Sequence, residues 1–263
     1  VSEGFTAELA EQDDPEIGFE LIRVRFDDGR VEELRLHDYE RLYALPGVYE
    51  QIVSDRLGCR SPAVIAGMLA AAVDAAGRSR DAVRVIDIAA GNGISGEALA
   101  AEGLAPLLGT DIVPSARAAA LRDRPGVYGE YLTLDLLTLS GDDRRHLVAL
   151  ACDALTCVAP VGHGPAQVPP AALAAAVGLL APDALVAYMH QPAPGVDDPV
   201  TTAFWAAQLG DVAVDELERT PYLHRRTVNG HPFEMVGVVW RVRRRPAPLG
   251  GGRRDARGPA GGL

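Results

Sequence analysis

The chain has 263 residues, 48% of them hydrophobic and 23% charged, with a formal net charge of −11. That length supports one large domain, or a domain with an appendage, around a substantial core. The acidic balance argues against a nucleic-acid partner. All 25 basic residues are arginine, which excludes a Schiff-base lysine and a phosphate-loop lysine.

Cys59, Cys152 and Cys157 form no CxxC pair, so neither a disulfide framework nor a metal site is expected. They suit a reduced, cytoplasmic setting. No charged-then-apolar leader and no apolar run of ~18 residues is seen, so no membrane association is expected. The richness in Ala, Gly and Arg suggests a GC-rich bacterial gene.

Residues 1–16 hold six acids and no base, and read as a flexible acidic N-terminus. Phe19 to Phe26 and Val31 to Leu36 flank Asp27-Asp28-Gly29, a hairpin signal. His37 to Leu57 is an aromatic, amphipathic stretch that Pro46-Gly47 splits into two short helices. Residues 17–60 are therefore expected to form a hairpin and a helical lid. Ser61-Pro62 opens a helix to about Ala76, with Ser61 as its N-cap.

After Gly77 apolar runs of about six residues alternate with helical segments, the pattern of a parallel sheet covered on both faces. Strands are expected at Val83 to Ile88, Leu107 to Ile112, Leu132 to Leu136, Ala154 to Ala159 and Ala184 to Met189. Helices are expected up to about Glu102, at Pro114 to Arg122, Pro170 to Leu180 and about Pro199 to Leu209. Val212 to Arg225 and Phe233 to Val242 close the pattern as an antiparallel pair turning at Asn229-Gly230. This domain spans residues 61–245, and residues 246–263 read as a disordered Arg, Gly and Pro tail.

The segment from Val85 to Glu97 carries most of the chemistry. Gly91, Gly93 and Gly96 satisfy GxGxxG between a strand and a helix, and Asp111 follows Gly91 by 20 residues. This pattern fits a dinucleotide site, so a nicotinamide oxidoreductase is one reading. Three features favour another ligand. Asp87, inside the first strand, sits badly beside a pyrophosphate and suits an ammonium group. Asp135 and Leu136 end the third strand, where an adenine amine would be read. The chain closes in a strand pair rather than a second nucleotide-binding half. Acids at 87, 111 and 135 describe a pocket for an adenosine carrying a positive charge and an amino acid, which is S-adenosylmethionine.

Residues 61–242 resemble the class I S-adenosylmethionine-dependent methyltransferases. More narrowly, residues 37–242 resemble a group of small bacterial methyltransferase-like proteins of undefined substrate. Pro46-Gly47-Val48-Tyr49-Glu50, Asp55-Arg56-Leu57-Gly58-Cys59, Ala90-Gly91-Asn92-Gly93, Gly109-Thr110-Asp111-Ile112 and Arg122 to Tyr128 carry that likeness. The resemblance implies an α/β, Rossmann-like fold, with a seven-stranded sheet of order 3-2-1-4-5-7-6 and an antiparallel last strand. It implies that S-adenosylmethionine is the cofactor and S-adenosylhomocysteine its product. Asp87, Gly91 and Gly93 would hold the methionine part, Asp111 both ribose hydroxyls, and Asp135 and Leu136 the adenine, with Ala89, Asn92 and Ile112 as further cofactor-binding candidates. Thr156 and Cys157 would lie near the sulfonium. Read from the residues themselves, Tyr39, Tyr43 and Tyr49 either form a lid over the cofactor, with Tyr49 as a cofactor-binding candidate, or pack as core.

The sequence departs from the group's pattern at three places. Ala89 stands where a glycine is usual. Val161-Gly162-His163-Gly164-Pro165 and Met189-His190-Gln191 each put a histidine at the pocket rim. His163 is the first candidate general base and His190 the second. His37 and His224 read as structural or rim residues. No Asn/Asp-Pro-Pro-Tyr/Phe follows the fourth strand, which argues against exocyclic-amine methylation of DNA bases. The expected acceptor is therefore a small molecule, methylated on O or N, in a bacterial specialised-metabolite pathway. Three other readings stay open: a methyltransferase fold doing non-methylating chemistry, an oxidoreductase, and a non-catalytic binding partner. A homodimer also stays open.

Overall fold

The computed structural model describes residues 4–12, 17–162, 166–192, 209 and 212–244. The chain opens with a three-stranded antiparallel sheet of order β1-β2-β3, formed by β1 (Phe5–Leu9), β2 (Leu21–Phe26) and β3 (Val31–Arg35). The Asp27-Asp28-Gly29 turn is where the sequence put it, with Gly29 at φ +87°. The flexible start is overturned over Phe5–Leu9, which pairs along β2. Its acids hid a period-two pattern. Ala7 is buried while Thr6 and Glu8 face out, and Glu8 meets Arg25 across the ladder at 3.4 Å.

The segment expected as a lid packs on this sheet. α1 (Tyr39–Ala44) and a π-helical turn (Glu50–Arg56) are separated at Pro46-Gly47, with Gly47 at φ +75°. Leu42, Val48, Ile52 and Leu57 are buried against Ile22, Val24 and Phe26. α2 (Ser61–Ala75) follows, with Pro62 in its first turn. Ser61 is not the N-cap, a position that Arg60 takes. Ser61 is itself helical, and its hydroxyl turns away to a distant strand.

The main sheet is built from β4 (Arg84–Ile88), β5 (Ala105–Asp111), β6 (Glu130–Thr133), β7 (Ala154–Val161), β8 (Leu185–His190), β9 (Val212–Arg226) and β10 (Pro232–Arg244). The crossover helices are α3 (Ile94–Ala101), α4 (Pro114–Asp123), α5 (Gly141–Ala149) and α6 (Pro170–Val177). The order β6-β5-β4-β7-β8-β10-β9 is the expected 3-2-1-4-5-7-6, and β10 runs antiparallel to both neighbours. Continuous burial of β8 reflects apolar cover on both faces. Ile86, Leu155, Val186, Tyr188 and Trp240 fill one face, and Val85, Ala154, Ala187, Met189 and Val239 the other.

Two differences from the expected elements matter. The third parallel strand ends at Thr133, so Asp135 lies beyond it. α5 was not expected; a Ser140–Asp143 capping box starts it. The expected helix from about Pro199 falls almost wholly outside the described residues, as does the 246–263 tail. Among the described residues no single helix is long and apolar enough to cross a membrane.

Candidate functional site

Parallel strands deliver their carboxyl ends to one edge of the sheet, where the loops leave room for a ligand. Here β4 runs into Ala89-Ala90-Gly91-Asn92-Gly93 and β5 ends at Asp111. Gly91 and Gly93 have φ of +54° and +87°, and Ala89 itself sits at +52°. A residue with a Cβ is strained there, so Ala89 holds the turn where glycine would do so more easily. Asp111 is pinned by the backbone: Gly91 N–H donates to Oδ2 at 2.9 Å and Val113 N–H to Oδ1 at 2.9 Å. Burial raises its pKa, and hydrogen bonds from the Val113, Gly91 and Ile112 backbone oppose that rise.

α1 and the π-helical turn, expected from the sequence as a lid, pack over this turn. Tyr39 stacks on Tyr43 at 5.6 Å, and Tyr43 and Tyr49 lie 5.4 Å apart. A Cβ on Gly91 would stand 2.5 Å from the Tyr43 hydroxyl, so this glycine is needed for the lid's approach. Glu50 accepts from Asn92 Nδ2 and from Arg124 Nη1, each at 2.7 Å, which ties the lid to the turn. Between lid, N-terminal sheet and main sheet lies a cavity of about 750 Å³. Ala89, Gly91, Asn92, Asp111 and Ile112 wall it, together with Tyr49. Val158, Pro160, Met189, Phe233 and Met235 add an apolar wall, and Cys59, His37, His224 and Arg225 a polar one.

This architecture is shared with solved methyltransferases. The chain is similar to the 1,6-didemethyltoxoflavin-N1-methyltransferase of Burkholderia thailandensis, solved with 1,6-didemethyltoxoflavin and S-adenosylhomocysteine bound. The TM-score is 0.53 at 15% identity, over 79% of this chain and 87% of that one. The chain has a class I methyltransferase fold. A TehB-like S-adenosylmethionine-dependent methyltransferase from Corynebacterium glutamicum is also similar, with TM-score 0.49 and 17% identity over 79% of this chain and 98% of that one. No family model matches the sequence, and no curated protein matches it.

Within this methyltransferase fold the expected site residues divide into two sets. Ala89, Gly91, Asn92, Asp111, Ile112 and Tyr49 wall the cavity. Gly93, Asp87, Asp135, Leu136, Thr156, Cys157 and His190 are not part of that wall. Asp87 is fully buried and accepts from Ser95 Oγ, Tyr128 Oη and Thr156 Oγ1 at 2.5, 2.6 and 2.7 Å. Its burial raises its pKa, and the three hydroxyls oppose the rise. Asp87 thus braces the strand ends from beneath rather than reaching the cavity. Gly96 makes that brace possible, since a Cβ there would stand 2.5 Å from the Tyr128 ring. Asp135 folds back onto Leu137 N–H and Thr138 Oγ1, because the strand ends two residues before it.

Cys157 packs in the opposite face of the sheet, and burial pushes its thiol up to about 12. His190 also turns to that face, beside Tyr188. Arg219 Nη1 lies 3.1 Å from its Nε2, and its Nδ1 lies 3.0 Å from the Gln191 carbonyl. An arginine can only donate, so Nε2 accepts and its lone pair is occupied. Strand alternation explains this placement: Met189 faces the cavity, so its neighbour cannot. His163 lies outside the described residues. His224, expected as a structural or rim residue, lines the cavity, and its ring meets Ser61 from 163 residues away in the chain.

Proposed function

We propose that this chain transfers a methyl group from S-adenosylmethionine to a small-molecule acceptor, on O or N. The observation that carries the reading is Asp111, held by two backbone donors at the end of the second parallel strand, on the cavity wall beside the glycine turn. A carboxylate accepts about four hydrogen bonds, so capacity remains for a vicinal diol such as the ribose hydroxyls. Asn92 Oδ1 gives the fit an independent check. It is buried without a hydrogen-bond partner among the described residues, and the ammonium or hydroxyl donors of such a cofactor match it. Ile112 is 64% exposed, an apolar surface suited to a purine edge.

The cofactor supplies an electrophilic methyl group; the protein supplies alignment and a place for the acceptor's proton. Asp111, Asn92 and the turn backbone would hold the cofactor, and the closed tyrosine lid would exclude water. The cavity volume of about 750 Å³ accommodates two small molecules side by side. The similarity to an enzyme whose structure holds S-adenosylhomocysteine and 1,6-didemethyltoxoflavin supports the same arrangement.

Incubation with methyl-labelled S-adenosylmethionine and a panel of phenolic and heteroaromatic acceptors tests the reaction. Label is expected on at least one acceptor, with transfer suppressed by S-adenosylhomocysteine. Conversion of an acceptor with the cofactor returned unchanged would instead support the non-methylating reading.

A further inference from the structure

Ser61 opens α2 without capping it, and the hydroxyl has a different role. Ser61 Oγ lies 2.6 Å from His224 Nδ1 and 2.7 Å from Tyr222 Oη, and Tyr222 Oη donates to Met189 Sδ at 3.2 Å. A thioether sulfur can only accept, so this chain of contacts has a direction. Tyr222 O–H donates to Met189 Sδ, which leaves Ser61 O–H to donate to Tyr222 Oη and His224 Nδ1–H to donate to Ser61 Oγ. In this direction of the network the imidazole carries its proton on Nδ1 and a lone pair on Nε2, the tautomer that the proposal below requires. Phe233 meets the ring edge-on at 5.5 Å and 83°, holding its plane. His224 lines the cavity, and among the described residues its hydrogen-bonding contacts all fall on Nδ1.

The neighbours narrow what this lone pair can meet. Ser61 is fully buried, so it orients the histidine and is not an accessible nucleophile. Burial keeps the Cys59 sulfur as a thiol. Arg225 also reaches the wall, but Glu20 Oε1 accepts from its Nη2 at 2.5 Å, and both side chains are nearly fully buried. Its charge is already balanced, so a carboxylate or phosphate beside His224 gains no countercharge from Arg225, and the other arginine of the cavity wall, Arg35, lies over Phe19 rather than in this subsite. Phe233, Met235 and Met189 present flat or polarizable apolar surfaces suited to a ring.

We propose that His224 is a catalytic residue of an acceptor subsite walled by Cys59, Phe233 and Met235, and that this subsite takes a neutral aromatic compound presenting an O–H or N–H to Nε2. The proposal rests on the methyl-transfer reading above. In the step, the acceptor's O or N lone pair forms the new bond to the methyl carbon. The carbon–sulfur bond breaks with its electrons going to sulfur. The acceptor's proton passes to His224 Nε2 and on to water. Burial, with Arg225 beside the ring, lowers the histidine's pKa to about 3, so the lone pair is available at neutral pH. A weak base suffices, because the acceptor atom becomes strongly acidic as it is alkylated.

The test uses phenol, toluene and benzoate as probes, with nitrogen NMR of the histidine-labelled protein. His224 is expected to be protonated on Nδ1, and phenol to shift its Nε2 resonance. Phenol should bind at least about tenfold more tightly than toluene or benzoate, a difference of about 1.4 kcal/mol. His224→Phe should remove the preference of phenol over toluene. If that variant does not fold, Ser61→Ala keeps the ring, unlocks its tautomer and should weaken the preference. A benzoate preference, an Nε2-protonated ring, an undiminished phenol preference in the variants, or no binding of any probe at millimolar concentration would each overturn the proposal. The titrations are repeated with S-adenosylhomocysteine. Phenol selectivity without S-adenosylhomocysteine binding would leave the subsite standing and defeat the methyl-transfer reading. The reverse would defeat the subsite alone.

Discussion

His224 has a consequence for stability as well as for chemistry. Its folded pKa of about 3 lies below the ordinary 6.5, because burial and Arg225 disfavour the imidazolium. Between those values the unfolded chain holds a proton that the native state lacks. Stability is therefore full above the unfolded pKa and is lost as pH falls, by up to about 1.4 kcal/mol per pH unit from this group. His37 and His190, also lowered by burial, act with the same sign. Asp87 and Asp111, raised by burial, act oppositely, and the stability they contribute in acid is lost as pH rises. Urea unfolding from about pH 7 to about pH 5 should show a stability loss that is shallower in His224→Phe by up to one proton's slope. An identical slope in the variant would mean that the native imidazole titrates normally.

At the scale of elements, the N-terminal sheet is fastened to the edge of the main sheet by one buried ion pair. Glu20 follows the turn into β2, Arg225 lies near the end of β9, and their side chains are 1% and 4% exposed. Glu20 also accepts Gly18 N–H at 2.6 Å, and Arg226 N–H donates to the Leu57 carbonyl at 2.7 Å beside it. Removing one ion strands the other without water. Glu20→Ala is expected to cost about 3–5 kcal/mol in denaturant unfolding, and Glu20→Leu combined with Arg225→Met much less. Equal losses in both would show that packing, not the stranded charge, sets the cost.

The elements also show what a sequence reveals. β4, β5, β7 and β8 were legible because buried parallel strands are uninterrupted apolar runs, and Asp27-Asp28-Gly29 and Pro46-Gly47 mark turns by local backbone chemistry. β1 was missed because six acids masked the alternation of Phe5, Ala7 and Leu9 with the outward Thr6 and Glu8. β6 was displaced because Leu134 and Leu136 read as strand, although they pack against the core from beyond Thr133. α5 carries so few apolar residues that only its capping box announces it.

For the molecule as a whole, the two ends of the cavity differ in legibility for one reason. The Asp111 end is built from segments 20 residues apart on adjacent strands, so motif spacing is enough to find it. The His224 end joins residues 163 apart in sequence, and no local pattern relates Ser61 to His224. Asp87 shows the limit of motif reading. Its place in the strand was right, but its partners Ser95, Tyr128 and Thr156 are visible only in three dimensions.

The Asp111 edge of the cavity is expected to bind an adenosyl sulfonium cofactor. Calorimetric titration with S-adenosylhomocysteine, S-adenosylmethionine and NADH tests it most directly. Micromolar binding of the first two, weakened at least about 100-fold in Asp111→Ala, is the expected result, equivalent to about 2.7 kcal/mol. Binding of NADH alone, or adenosyl binding untouched by Asp111→Ala, would contradict it.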